Sequence, residues 1–220
     1  PQALADPETF TDQDIRDLVA WFNLVWIDPG WRSRDPELER LVKQGRGFTL
    51  ADVRAIHAAQ RRIGAGVLPL YRRLAAAGEL ELITSPSFHP ILPLLADTGS
   101  ARRATPDLPV PEPPFCAPED VAAQLQMAVE SHTAHYGAPP AGLWPSEGAV
   151  SPEMLSLVRL AGFHWLASGE TILSRSLGRP LDRDGSSLLT DPRTLYQPYR
   201  VLAGTEFGPY MVFRDQELAD

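Results

Sequence analysis

The sequence carries one cysteine, Cys116, among 220 residues. A single thiol makes neither an internal disulfide nor a multi-thiolate zinc site, and the expectation for Cys116 is a small buried or half-buried side chain. Long apolar runs are missing too. Arg, Pro or an acid cuts each of them well before the roughly 18 uncharged residues that a spanning helix needs, so no membrane partner is expected. Positive charge is short: 20 Lys and Arg stand against 28 Asp and Glu, for a net charge of -8. Binding a phosphate backbone rests on clustered cations, so nucleic acid is not an expected partner. The glycine-rich phosphate cradles of kinases and dehydrogenases do not occur, and neither does the Gly-x-Ser-x-Gly elbow of acyl hydrolases. The chain opens on Pro1 with no charged-then-apolar leader. That start reads as a cut in a longer chain. It leaves the compartment unwritten, with the cytoplasm as the default, and nothing speaks to an oligomeric state.

What the sequence has is punctuation. Its 22 prolines and 16 glycines break 44% hydrophobic content into short elements. Ile15, Leu18, Val19, Phe22, Val25 and Trp26 recur every three or four residues behind Thr11, which predicts an amphipathic helix ending near Asp28 and Pro29. A longer helical pattern runs from Thr49 to Ala77, with kinks expected at Gly64, Gly66 and Pro69. Residues 79–84 alternate as a strand between Gly78 and Pro86, and residues 108–118 form a Pro-rich loop. Pro118 opens a helix that Gly137 closes. Strands are expected at 141–144, 163–167, 195–201 and 210–213, with a helix from Ser151 to Ala161 and another to about Ser176. Residues 178–192 look like a mobile insertion. Strands alternating with helices predict an α/β fold with a parallel sheet or barrel.

In such folds the chemistry collects at the C-terminal ends of the strands. Three acids qualify: Glu81 within its strand, Glu147 just past Trp144-Pro145-Ser146, and Asp215 just past Phe213-Arg214. A strand-end acid is often only a helix cap or one half of an ion pair. Two carboxylates facing a pocket rimmed by aromatic rings are, however, the equipment for cleaving glycosidic bonds. Trp26, Trp144 and Trp165 offer such rings, and His89 is placed to hydrogen-bond a sugar hydroxyl or a carboxylate. His132 and His135 lie three apart on one helix and raise the thought of a metal with His89 or His164. His132 falls partly on the apolar face and His135 off it, so no metal site is expected.

Four blocks, residues 22–29, 78–95, 142–151 and 213–220, resemble in order those of glycoside hydrolase family 57, which holds α-amylases, amylopullulanases and 4-α-glucanotransferases. The resemblance implies part of an incomplete (β/α)7 barrel, retaining attack on an α-glucan substrate, and no cofactor or metal. It gives Glu147 as nucleophile and Asp215 as general acid and base. Glu81, His89, Trp144, Trp26 and Trp165 are then candidates for substrate binding. The family's first block, His-Gln-Pro, is not in this sequence, and its fifth would lie past Asp220. Residues 1–220 are therefore expected to be one catalytic-domain fragment. Ala149, Ala219 and Gly169 depart from the residues common beside the catalytic pair. A retaining mechanism predicts carboxyl groups about 5 to 5.5 Å apart, an Asp215 whose pKa is raised by Glu147 and apolar neighbours, and an Arg214 turned away. The alternative is a non-catalytic glucan-binding relative on the same fold.

Overall fold

The computed structural model describes residues 9–203 and 206–219, with the side chains of all of these except 203, 206 and 207. The chain forms two compact units, residues 1–70 and 71–220.

The first unit is helical. Four helices, α1 (Asp12–Val25), α2 (Pro29–Arg34), α3 (Pro36–Gln44) and α4 (Leu50–Ala65), start where short polar side chains bind the free N–H groups of the first turn. Thr11 and Asp14 form a reciprocal capping box on α1, and Thr49 with Asp52 forms another on α4. Pro29 does not merely end α1; it is the first residue of α2, where its missing N–H costs nothing. The core is Ala20, Leu24, Ile27, Leu38, Leu41, Phe48, Ile56 and Ala59. The stripe of α1 that stands out in the sequence is not the one that packs there. Ala20 and Leu24 are buried, while Ile15, Leu18, Phe22, Val25 and Trp26 remain exposed. Residues 49–77 are two helices, because the chain breaks at Gly66 before α5 (Val67–Ala76).

The second unit holds α6 (Leu92–Ala96), α7 (Ala101–Ala104), α8 (Pro118–Tyr136), β1 (Gly142–Leu143), α9 (Pro152–Leu160), β2 (Trp165–Gly169), α10 (Glu170–Leu177), α11 (Pro192–Leu195), β3 (Tyr199–Ala203), β4 (Glu206–Arg214) and α12 (Gln216–Ala219). The strand order is β1-β2-β4-β3. β1, β2 and β4 run parallel, as β/α alternation dictates. β3 and β4 are antiparallel, which corrects the expectation of an all-parallel set: only a short connection joins them, too short for the crossover a parallel pair requires. Leu195, placed in a strand by its apolar character, ends α11 instead. The strand expected at 79–84 contracts to one parallel bridge between Thr84 and Leu143. Cys116 is exposed rather than buried, since it lies in the Pro-rich loop ahead of α8.

One face of the sheet packs on helices. Leu143, Leu166, Met211 and Phe213 join Val121 and Leu125 of α8, Met154 and Val158 of α9, and Phe163 in the main core. The alternate residues look the other way, as the two-residue period of a strand requires, and there Tyr210 is 48% and Val212 38% exposed. Parallel sheets are ordinarily covered on both faces. Here the described residues cover one. Gly142 is needed on the second face: a Cβ at that position would lie 2.5 Å from Trp165 Cζ2 and 2.7 Å from Ile83 Cγ2.

Candidate active site

The turn leaving β1 carries the first acid. Residues 146–148 form one 3-10 turn in which Glu147 has φ 56 and ψ 18, and Gly148 follows at φ 65. Left-handed backbone is natural for Gly but costs a residue with a Cβ about 1 to 2 kcal/mol. The turn persists because both sides hold it. Ser168 of β2 donates its hydroxyl to Gly148 O at 2.7 Å, and Trp144 lies so close that a Cβ on Gly148 would be 3.5 Å from its Cη2. Ser146 and Gly148 are buried, so the carboxylate between them is pushed outward, where its side chain is 76% exposed. His89 Nε2 stands 3.5 Å from Glu147 Oε1. His89 and the preceding Phe88 are themselves left-handed, at φ 56 and 57. Glu147 and His89 thus meet on two strained turns.

The exit of β4 is built the opposite way. Asp215 is buried, 7% exposed, and both of its oxygens are occupied. Oδ1 accepts from Arg183 Nη2 at 3.0 Å and from the Leu218 N–H at 3.3 Å. Oδ2 accepts from the Tyr196 hydroxyl and from Arg183 Nη1, the latter at 3.4 Å. Arg183 also donates to Glu170 Oε2 at 2.5 Å. The Tyr196 hydroxyl first, and then the Arg183 guanidinium, hold the Asp215 carboxyl below its usual range, although burial acts against them. This overturns the expectation of a raised pKa. Arg214 is exposed and donates to Gln216 at 3.3 Å; the cation that governs Asp215 is Arg183.

Glu147 and Asp215 lie at the same end of the sheet. Glu147 follows β1 and Asp215 follows β4, with β2 between them, so the strands that lead to them are two strand spacings, about 10 Å, apart. Trp165 opens β2 at its other end, about 13 Å along the strand from Gly169. Its indole N–H donates to Glu81 Oε1 at 2.7 Å. Glu81 and Trp165 are therefore joined to each other rather than to Glu147. Trp26 belongs to the first unit, where it is 75% exposed beside Phe22. His132 Nδ1 lies 2.9 Å from Ala138 O, and His135 Nδ1 2.7 Å from Ser131 O. No group of His, Cys, Asp and Glu among the described residues could hold a metal ion.

Sequence reasoning passed over Arg183, Glu170 and Tyr196. Arg183 falls in the segment set aside as an insertion, and its reach to Asp215 spans 32 positions. The local signal was the turn-forming run Asp184-Gly185-Ser186-Ser187, which marks a small hairpin rather than a loose loop.

A sequence model described as "Glycosyl hydrolase family 57" matches residues 8–220. The chain belongs to glycosyl hydrolase family 57. Among solved structures, a GH57 branching enzyme from Thermococcus kodakaraensis, in complex with glucose and additives, superposes with a TM-score of 0.53 at 17% identity, over 93% of this chain and 35% of that one. A GH57-type branching enzyme from Pyrococcus horikoshii gives 0.52 at 15% identity, over 92% and 32%. The α-amylase AmyC from Thermotoga maritima gives 0.51 at 16%, over 93% and 33%. At these identities the likeness is one of fold. This family 57 chain spans about a third of the length of those structures. No curated protein matches it.

Proposed function

We propose that this family 57 protein acts on α-glucans as a retaining glycoside hydrolase or transglycosidase, on part of an incomplete (β/α)7 barrel that residues 1–220 supply. Glu147 is the nucleophile and Asp215 the general acid and base. Asp215 gives its proton to the glycosidic oxygen while Glu147 attacks the anomeric carbon, so the C–O bond to the leaving sugar breaks as the glycosyl ester forms. Water or a sugar hydroxyl then passes a proton to the Asp215 carboxylate and attacks the same carbon, which frees Glu147. Hydrolysis and transfer differ only in that acceptor.

The observation that carries this reading is the conformation of Glu147. A glutamate in left-handed backbone, three-quarters exposed and lodged between two buried residues, does nothing for the packing that an Asn or Gly would not do at lower cost. His89 supplies a neighbour able to orient the carboxylate or a sugar hydroxyl, and Trp144 supports the turn from behind. The test is Glu147→Gln in the intact protein with maltooligosaccharides. Loss of the nucleophile is expected to lower kcat at least about a thousandfold, and a retained rate would overturn the nucleophile assignment; glucan binding without cleavage by the unsubstituted protein would instead make it a non-catalytic glucan-binding relative. Proton NMR of the first product formed should show the α-anomer.

A further inference from the structure

We propose that Arg183, anchored by Glu170, is a positioning residue that orients Asp215 and sets the pH above which the leaving sugar can no longer be protonated. The inference rests on the reading of Asp215 as general acid and base.

The geometry is built for such a task. Arg183 does not come from a strand end; a small hairpin brings it back to the sheet. Arg183 pairs with Leu189 in an antiparallel bridge, and the Asp184 N–H donates to Leu188 O at 2.8 Å. Asp184 Oδ1 accepts the N–H groups of Ser186 and Leu188 at 2.8 and 3.1 Å. Arg183 Nη1 donates to Ser187 O at 2.8 Å, so the hairpin grips the same guanidinium that it presents. That side chain is 16% exposed, as is the side chain of Glu170, and the side chain of Asp215 alone is 6% exposed. Glu170 is the first residue of α10, directly after β2, and Asp215 follows β4. One planar cation therefore ties together the ends of two neighbouring parallel strands. The fork of an arginine holds both oxygens of Asp215 in one orientation, which a lysine ammonium does not do.

The charge count has a functional side. One cation faces two carboxylates, with the Tyr196 hydroxyl as a further donor to Asp215; Arg214 is exposed and turned to Gln216, and Glu217 is exposed on α12. Arg183 favours the carboxylate form of Asp215, and the negative charge of Glu170 opposes it. The carboxylate is the form required when an acceptor hydroxyl is to be deprotonated, and the acid is required when a leaving sugar is to be protonated. Arg183 thus biases the site toward the second half of the cycle, and Glu170 limits that bias.

The experiment is the pH dependence of kcat/KM for maltooligosaccharide cleavage by the intact protein, whose alkaline limb reports the free enzyme's general acid. Arg183→Met should move that limb upward by about one pH unit or more, the usual effect of removing an opposite charge at this range. Arg183→Lys should keep most of the limb's position while lowering kcat, because the charge stays and the fork is lost. Glu170→Gln should move the limb the other way. An aryl α-glycoside with a 4-nitrophenolate leaving group needs no proton to depart, and with it the Arg183→Met shift should vanish. An unmoved or acid-shifted limb in Arg183→Met overturns the proposal, as does loss of the thermal unfolding transition in both Arg183 variants, which would make the residue purely structural. Asp215→Asn is measured alongside. If it keeps its rate on maltooligosaccharides, the acid and base reading itself has failed; if it is inactive and the Arg183→Met limb has not moved, only the present inference has.

Discussion

The two acids of the site differ in what their surroundings demand of them. Every bond that Asp215 makes is one that a structural acid would make: it accepts the Leu218 N–H at the start of α12, pairs with an arginine and is buried. Glu147 has nothing of the kind. Its carboxylate has His89 at 3.5 Å, stands mostly in solvent, and sits on backbone that strains any residue with a Cβ. Strain without a structural return points to function by itself, whereas a well-bonded acid points to function only through its position. Asp215 gains that position from β4, which ends beside β2 on the same side of the sheet as Glu147.

Removing each acid in turn and changing the leaving group should separate the two roles most sharply. On maltooligosaccharides, Glu147→Gln is expected to lose at least about a thousandfold and Asp215→Asn about a hundredfold or more. On a 4-nitrophenyl α-glycoside, Asp215→Asn should recover most of the rate of glycosyl-enzyme formation while Glu147→Gln stays inactive. Equal recovery of both variants would dissolve the division of roles.

Asp52 supplies an internal standard for an acid with a structural role alone. It too is buried, caps its own helix start through the Thr49 N–H at 2.8 Å, and pairs with Arg40 at 2.7 Å. The Thr49 N–H and then the Arg40 guanidinium lower its pKa to about 2. A pKa lowered in the folded state contributes stability above the unfolded value, near 4, and that stability is lost as pH falls through the folded value. Unfolding experiments between about pH 5 and pH 2 should show a loss of about 1 kcal/mol from this group, after allowance for solvent screening of the pair. Asp52→Asn should abolish that part of the pH dependence and leave glycan cleavage unchanged.

The smallest effect concerns the strain at Glu147. Gly adopts left-handed backbone freely, so Glu147→Gly should melt later than Glu147→Ala, by about 1 kcal/mol in unfolding free energy. Equal stability would mean that the turn relaxes once the glutamate is gone.

Much of this arrangement was legible in the sequence, for local reasons. Thr11, Thr49, Pro118 and Gly137 mark helix ends because capping is settled within one turn. The position of Glu147 just past a strand is legible because it follows a short apolar run. The hairpin of β3 and β4 was not, since periodicity does not report strand direction. The stripe of α1 was misread because its small residue, Ala20, packs in the first unit while Leu18 and Phe22 stay exposed. Arg183 and Glu170 were hidden for a different reason. They lie 13 positions apart, with no spacing rule between them, and what joins them is the small hairpin that carries Arg183 back to the end of β2. Trp165 and Glu81, 84 positions apart, show the same limit. The indole donates to a carboxylate at the other end of β2 from Gly169.

Gly142 and Trp165 pair across β1 and β2 in register, with no room between them for a methyl group. The two positions therefore do not vary independently. A lineage that enlarged residue 142 first would press an indole off its hydrogen bond with Glu81, and one that first trimmed the indole would leave a hollow beside Ile83. The passable route is to shrink position 165 before position 142 grows, and Glu81 would be released from its partner midway. In descendants of this chain, change at these three sites should be inherited as a set.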